Sequence, residues 1–303
     1  MKEEILNRVR TLVGDSNVST DSLLKDYTTF KVGGLMKALV KVVDVGSLRK
    51  LIVLLKSENV DYLIIGNGSN LLASDQGFDG VVIKLEGEFN EVSAKETIIT
   101  AGSGVILGSV CKAALDNSLT GLEFAYGIPG TIGGAMVMNA GAYDGEMKDV
   151  VKTVEAITSD GELITLSNAD MKFEYRNSIV KKEGLIVTRV VMELKSGNKD
   201  DIKTKMDDLM GRRVSKQPLE FPSAGSTFKR PKDNFAGKLI MESGLSGFRV
   251  GGACVSPKHC GFVVNDQGAS AKDIDDLMNE VIKKVKEDTG IVLEPEVIKI
   301  GRF

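Results

Sequence analysis

Hydrophobic and polar positions alternate with two periods in the first third of the chain, and those periods predict its elements. The runs ALVKVVD at 38–44, DYLIIG at 61–66 and GVVIKL at 80–85 are short and aliphatic or β-branched, as strands are. Between the first two lies SLRKLIVLLKSENV at 47–60, where Leu48, Leu51, Ile52 and Leu55 share one helical face while Lys50 and Lys56 turn to water. Ser47 is the expected N-cap of that helix. The order strand, helix, strand, strand marks a first unit.

From about Glu88 to Lys195 the apolar runs shorten and gain β-branched residues, as in TIITAG, VVKTVEAITSD, GELITL and LIVTRVVMEL, with helical spacing between Ile106 and Asn117. This predicts a second, strand-rich unit. The charged segment KSGNKDDIKTKMDDLMGRRVSKQP reads as a solvated helix leading to a third unit that begins near Pro218. Within that unit Ile274, Leu277, Val281, Ile282 and Val285 predict an amphipathic helix over 271–289.

A length of 303 residues favours more than one domain, and 42% hydrophobic against 27% charged residues describes a soluble globular chain. The net charge of -3 lacks the excess of cations that a broad nucleic-acid surface requires. Near the N-terminus Ile5, Leu6 and Val9 have helical spacing among charges, without the continuous apolar core of a secretory signal. No apolar run approaches the roughly 20 residues needed to span a bilayer. Cys111, Cys254 and Cys260 form no CxxC pair, so a disulfide framework or zinc site has little support. A soluble, unexported protein of the reducing cytoplasm is expected.

The candidate chemistry sits in two glycine clusters and one serine-rich turn. After DYLII comes GNGSNLLASDQGFDG, whose backbone N–H groups and Asn67, Ser69 and Asn70 could bind phosphate oxygens; a tight turn between two strands is the alternative. The stretch GLEFAYGIPGTIGGAMVMNAGAYDGE is apolar yet poor in helix and strand formers. Pro129, Gly130, Gly133 and Gly134 permit close approach of a flat or phosphorylated group, and Thr131, Asn139 and Tyr143 offer polar anchors. A helix-packing seam of small residues is the competing reading. A Rossmann site is excluded, because Leu71 stands where the third glycine of G-x-G-x-x-G belongs and no helix-forming run with an acidic residue about 20 positions on follows.

The turn PSAGSTFKRP at 222–231 presents Ser226 in a chain whose one histidine is His259. A serine nucleophile normally leans on a histidine that takes its proton. His259, beside Cys260 in SPKHCGFVVN, has too few ligand partners for a metal and reads as structural. No metal is expected.

Seven stretches in order carry a resemblance over nearly the whole chain: YTTFKVGG, IIGNGSNLL, GIPGTIGGAMVMNAGAY, EYRNS, PSAGSTFKRP, AGKLIMESGL and LEPEVIKIG. Together they resemble the UDP-N-acetylenolpyruvoylglucosamine reductase family. The resemblance implies an α+β fold with a two-part FAD-binding region of the vanillyl-alcohol-oxidase (PCMH) type and a C-terminal α/β substrate-binding domain. The expected boundaries are 1–87, 88–205 and 206–303, with the last residues returning to the active site. It also implies FAD as cofactor, NADPH as co-substrate, a sugar nucleotide as substrate and a role in peptidoglycan precursor synthesis. A monomer is favoured.

Residue by residue, the resemblance assigns Ser226 as proton donor, with Arg176 and Glu296 as the other catalytic positions. It assigns cofactor binding to Gly66, Asn67, Gly68, Ser69, Asn70 and Leu71 in the first cluster. In the second it adds Gly127, Pro129, Gly130, Thr131, Gly133 and Gly134, followed by Asn139, Ala140 and Gly141. Arg213, Lys229 and Lys238 are substrate-binding candidates, as a planar fork and compact charges suited to diphosphate or carboxylate. The short interval 179–183 after EYRNS leaves no room for a substrate-covering tyrosine loop, which matches the loop-less, type II subgroup.

One departure stands out: Ile298 occupies the place of an arginine common in the family, and Lys299, one residue along a strand, faces the other way. Two other readings are an FAD-dependent oxidase or dehydrogenase of a different small substrate, and a non-catalytic sugar-nucleotide binding protein.

Overall fold

The computed structural model describes residues 2–303, with helices and sheets interspersed along the chain as an α+β fold requires. Two compact units emerge: one takes the chain up to Thr20 with Lys37–Asn67 and Gly80–Arg212, the other Asp21–Met36, Gly68–Asp79 and Arg213–Phe303. The division therefore falls inside the first glycine cluster, between Asn67 and Gly68.

In the first unit, a small sheet orders its strands as Val18–Ser19, Met36–Val42, Phe78–Leu85 and Tyr62–Ile65, the last two parallel. Parallel strands need a crossover, and here the chain reaches Phe78 through the short strand Leu71–Ala73. Against this sheet packs the helix Val45–Ser57, burying Leu48, Leu51, Ile52, Leu54 and Leu55. Its cap differs from expectation. Asp44 holds the N-cap position and its carboxylate accepts from the Ser47 N–H at 2.8 Å, so the helix starts before Ser47. An ionised carboxylate at a helix start is favoured twice, as acceptor and by the macrodipole, and the hydrogen bonds from Ser47 lower its pKa.

The strand-rich part of the same unit is a five-stranded antiparallel sheet ordered Leu163–Ser167, Val151–Ile157, Ile186–Glu193, Ile98–Gly102 and Val92–Lys95. Helix Leu107–Asp116 covers one face with Leu107, Val110, Cys111 and Ala114. The segment GTIGGAMVM, poor in helix formers, forms the helix Ile132–Met138 all the same. A seven-residue helix with two glycines is marginal alone. Burial of Ile132, Ala135 and Met136 in the core supplies what propensity lacks. Ile202 and Met206 of the charged helix Lys199–Lys216 join the same core.

The second unit has a three-stranded antiparallel sheet, Arg249–Val250, Ala253–Val255 and Val263–Asn265, packed against the helix Ala271–Thr289. That helix matches the sequence expectation and carries a complete capping box, Ser270 with Asp273, and Gly290 in the left-handed conformation at its end. The Asp75 carboxylate also accepts from the Ala271 and Lys272 N–H groups, at 2.9 and 3.0 Å. Near the C-terminus Ile298–Ile300 pairs in parallel with Leu71–Ala73. Phe30 and Val32 lie in this unit's core with Leu72, Phe228 and Val297. Among the described residues no helix is long and apolar enough to cross a membrane.

Candidate active site

In the first unit the two glycine clusters meet. The Asn67 amide donates to the Pro129 carbonyl at 2.6 Å, and a Cβ placed on Gly66 would come within 2.3 Å of the Thr131 hydroxyl. Thr131 is itself the N-cap of the helix Ile132–Met138, accepting from Gly134 at 3.4 Å. Glycine at 66 is thus a packing requirement.

Gly66, Thr131, Gly133 and Gly134 line a cavity of ≈110 Å³. The remaining walls include Lys84, Ser103 and Gly104, with Ile64, Val137, Leu185 and Val187 providing apolar surface. Two of these residues carried no motif signal. Lys84 donates to the Gly66 carbonyl at 3.3 Å, and the Ser103 hydroxyl is buried without a hydrogen-bond partner among the described residues. A buried hydroxyl left unsatisfied is costly, and a ligand oxygen would satisfy it. The lining holds one cation, two hydroxyls and no carboxylate. Such walls suit a group with an anionic phosphate part and a flat apolar part, so the residues present fit FAD. Strand alternation on the GVVIKL and TIITAG runs was the signal that could have pointed to Lys84 and, just past its strand, Ser103.

The end of the small helix and the EYRNS segment are fastened together. Asn139 is fully buried in the left-handed conformation, its amide donating to Glu146 at 3.0 Å and to the Glu174 carbonyl at 3.2 Å, and its oxygen accepting from Lys148 N–H at 3.0 Å. Its side chain, expected as a cofactor anchor, is committed to these contacts. The Ser178 hydroxyl donates to the Val137 carbonyl at 3.2 Å, and Arg176 donates to the Gly141 carbonyl at 3.3 Å. Arg176 has a φ of 56° in a tight turn closed by reciprocal bonds between Glu174 and Asn177. Positive φ is disfavoured for a residue with a side chain, and three anchors around the turn hold it. The interval after EYRNS is the short helix Ile179–Glu183. Gly127, Gly130, Ala140 and Gly141 are half-buried along this stretch, and Pro129 and Tyr143 are exposed.

In the second unit, Gly68, Ser69, Asn70 and Leu71 continue the first cluster. Gly68 has a φ of 59°, and a Cβ there would meet the Tyr27 carbonyl oxygen at 2.1 Å, which explains the YTTF motif's proximity. The Asn70 amide, expected among the phosphate-facing groups, donates to the Glu296 carbonyl at 3.1 Å. Ser226 is exposed, while the next residue, Thr227, is fully buried and its carbonyl accepts from the Glu296 N–H at 2.9 Å. A bridge between Phe228 and Pro295 extends that contact. Lys229 pairs with Glu294, and Lys238, exposed on the helix Ala236–Glu242, lies 3.8 Å from Glu242. Arg213 is half-buried near the end of the charged helix.

Lys299 pairs with Asp275 of the helix Ala271–Thr289 and lies over the Phe303 ring at 5.2 Å. Its charge is taken up away from the place of Ile298. His259 accepts from the Gly261 N–H at 3.1 Å and meets Phe262 edge-on, and burial lowers its pKa. All three cysteines are buried and unpaired, and burial, then nearby Glu123, pushes the Cys111 thiol up to about 12. No cluster of three or more His, Cys, Asp or Glu among the described residues could hold a metal.

Comparison with known proteins places these features in one family. Residues 36–167 match an FAD binding domain, and residues 217–300 match the UDP-N-acetylenolpyruvoylglucosamine reductase C-terminal domain. The reductase of Clostridioides difficile (strain 630) is 48% identical over 299 residues, covering 99% of this chain and 98% of its own. That of Lachnoclostridium phytofermentans is 44% identical, again covering 99% and 98%. The crystal structure of the Thermus caldophilus reductase superposes with a TM-score of 0.81 at 38% identity, over 92% of this chain and 98% of that one. p-Cresol methylhydroxylase shares the fold at a TM-score of 0.59 and 12% identity, covering 94% and 87%, which identifies the FAD-binding architecture as the PCMH type. With both domain matches in place and close relatives spanning its full length, the chain belongs to the UDP-N-acetylenolpyruvoylglucosamine reductase family.

Proposed function

We propose that the protein catalyses NADPH-dependent reduction of UDP-N-acetylglucosamine enolpyruvate to UDP-N-acetylmuramate through bound FAD, in peptidoglycan precursor synthesis. The observation that carries this reading is the carboxylate-free cavity with the unpartnered Ser103 hydroxyl, most of whose walls belong to the segment matching an FAD binding domain. Gly66, Gly104, Gly133 and Gly134 let the cofactor approach the backbone, and Lys84, Ser103 and Thr131 supply charge and hydroxyl groups to its phosphates. Asn67, Gly68, Ser69 and Leu71, with Gly127, Pro129, Gly130, Ala140 and Gly141, are assigned to the same cofactor on the family pattern of the two glycine clusters. Held by these residues, FAD would supply the hydride-transfer chemistry between NADPH and the terminal carbon of the enolpyruvyl double bond.

Charge then builds on the neighbouring carbon and spreads into the substrate carboxylate. Arg176 offsets it with a planar guanidinium, and a protonated Glu296 donates a hydrogen bond to the same anion. Ser226 gives its hydroxyl proton to the carbon, completing the lactyl ether, and regains one from solvent or a neighbouring acid. A serine that donates a proton needs no histidine, which resolves the scarcity of that residue in this chain. Arg213, Lys229 and Lys238 serve the anionic parts of the sugar nucleotide. Buried, unpaired thiols suit a reducing compartment, so the cytoplasm is the proposed location, with a monomer as the working unit.

The experiment is spectroscopic. Purified protein should show flavin bands that bleach with NADPH and recover when UDP-N-acetylglucosamine enolpyruvate is added. Failure to consume NADPH in the presence of that substrate rules the reading out.

A further inference from the structure

Glu296 is held through both of its peptide groups. Its N–H donates to the Thr227 carbonyl at 2.9 Å, and its carbonyl accepts from the Asn70 amide at 3.1 Å. Immediately beyond, the Ile298 N–H donates to the Asn70 carbonyl at 2.9 Å, opening the parallel pair of Ile298–Ile300 with Leu71–Ala73. Asn70 therefore grips the chain on either side of Val297, once by side chain and once by backbone. Val297 itself is buried in the second unit's core.

We propose that Asn70 is a positioning residue for Glu296; this deepens the reading above, since it rests on Glu296 acting on the substrate. The physical basis is the peptide plane between Glu296 and Val297. With the N–H before and the carbonyl after Cα both anchored, φ and ψ of Glu296 are fixed, and with them the direction of its Cα–Cβ bond. Only side-chain rotamers remain to be chosen. Removing the Asn70 amide frees that plane to rotate, because the Glu296 carbonyl loses its side-chain donor while the Thr227 contact restrains only the preceding peptide. The anchor on the other side, Thr227, follows Ser226 directly. One clamp thus sets the carboxyl and the hydroxyl in a common register.

The test uses the flavin-loaded enzyme with Asn70→Ala and the isosteric Asn70→Asp, whose carboxylate cannot donate to the carbonyl. Either variant should slow flavin reoxidation by substrate about tenfold to a hundredfold, the scale of a small misplacement of a reacting group, while flavin content and reduction by NADPH stay within about twofold. In a Glu296→Ala background the same change should add little, because groups acting as one unit are not additive. Amide hydrogen exchange at Glu296 and Ile298 should accelerate in the variants. Loss of flavin, equal slowing of both half-reactions, full additivity or unchanged exchange each overturns the proposal. If Glu296→Ala alone leaves turnover intact, the catalytic reading of Glu296 fails, and the exchange measurement still decides whether Asn70 positions that segment.

Discussion

The Glu296 N–H and the Thr227 carbonyl are joined at 2.9 Å, so the carboxylate-bearing segment near the C-terminus lies against the residue that follows Ser226. Two stretches about seventy residues apart in sequence are brought into one short bridge, extended by Phe228 and Pro295. The division of labour proposed for them can be tested by separating the two half-reactions.

Ser226→Ala removes a hydroxyl that is exposed, so the fold should be unaffected. Reduction of flavin by NADPH should persist, while reoxidation by substrate slows by about 10²- to 10⁴-fold, the usual contribution of a positioned acid. Stopped-flow absorbance resolves the two phases. Equal loss in both contradicts a proton-donor role.

Gly66→Ala addresses the cofactor cradle. The added methyl would sit 2.3 Å from the Thr131 hydroxyl and displace the cap of the small helix. We expect a stability loss of about 1–3 kcal/mol from overpacking and a fall in the ratio of visible to ultraviolet absorbance of the purified protein. Full flavin content at wild-type stability would mean that the cavity wall yields and that glycine is not required there.

Asn139→Ala deletes three hydrogen bonds at a fully buried site and leaves the Lys148 N–H without its side-chain partner, while the Glu174 carbonyl keeps only its bond from the Asn177 N–H. The expected destabilisation is about 2–4 kcal/mol, since unsatisfied buried groups carry their desolvation cost. Urea denaturation measures it. Because the Arg176 turn depends on the same anchor, substrate affinity should fall more than flavin affinity; the reverse order would assign Asn139 to the cofactor.

His259 gives a pH signature free of interference from any other histidine. Burial lowers its pKa in the folded protein, so between that value and the unfolded value near 6.5 the unfolded chain binds the additional proton. Its contribution to stability is therefore complete above about pH 6.5 and is lost as pH falls toward the folded pKa. The urea midpoint should rise from pH 5.5 to 7, and His259→Gln should flatten that part of the profile. A midpoint that falls over this range would show the imidazole to be stabilised in its charged form.

The sequence was most informative where local chemistry decides. The period of Leu48, Leu51, Ile52 and Leu55 and that of Ile274, Leu277, Val281 and Val285 specified helices whose buried faces are those in the structure. Short motifs sufficed to identify the family, although the reason for glycine at 66 and 68 lies partly in distant contacts with Thr131 and Tyr27.

Tertiary structure decided what depends on distant neighbours. Asp44 displaced Ser47 as cap by a difference of three residues that periodicity does not resolve. The glycine-rich run became a helix because a core was available to bury Ile132 and Met136, a stabilisation that propensity cannot register. Lys84 and Ser103 line the cavity although one, within its strand, and the other, just past its strand, look like any polar residue on a half-buried surface. Asn70 meets Glu296 across 226 residues of chain, and a contact of that range exists only once the sheet has formed. Local propensities carry no term for such contacts, which is why the elements could be read from the chain and the clamp on Glu296 could not.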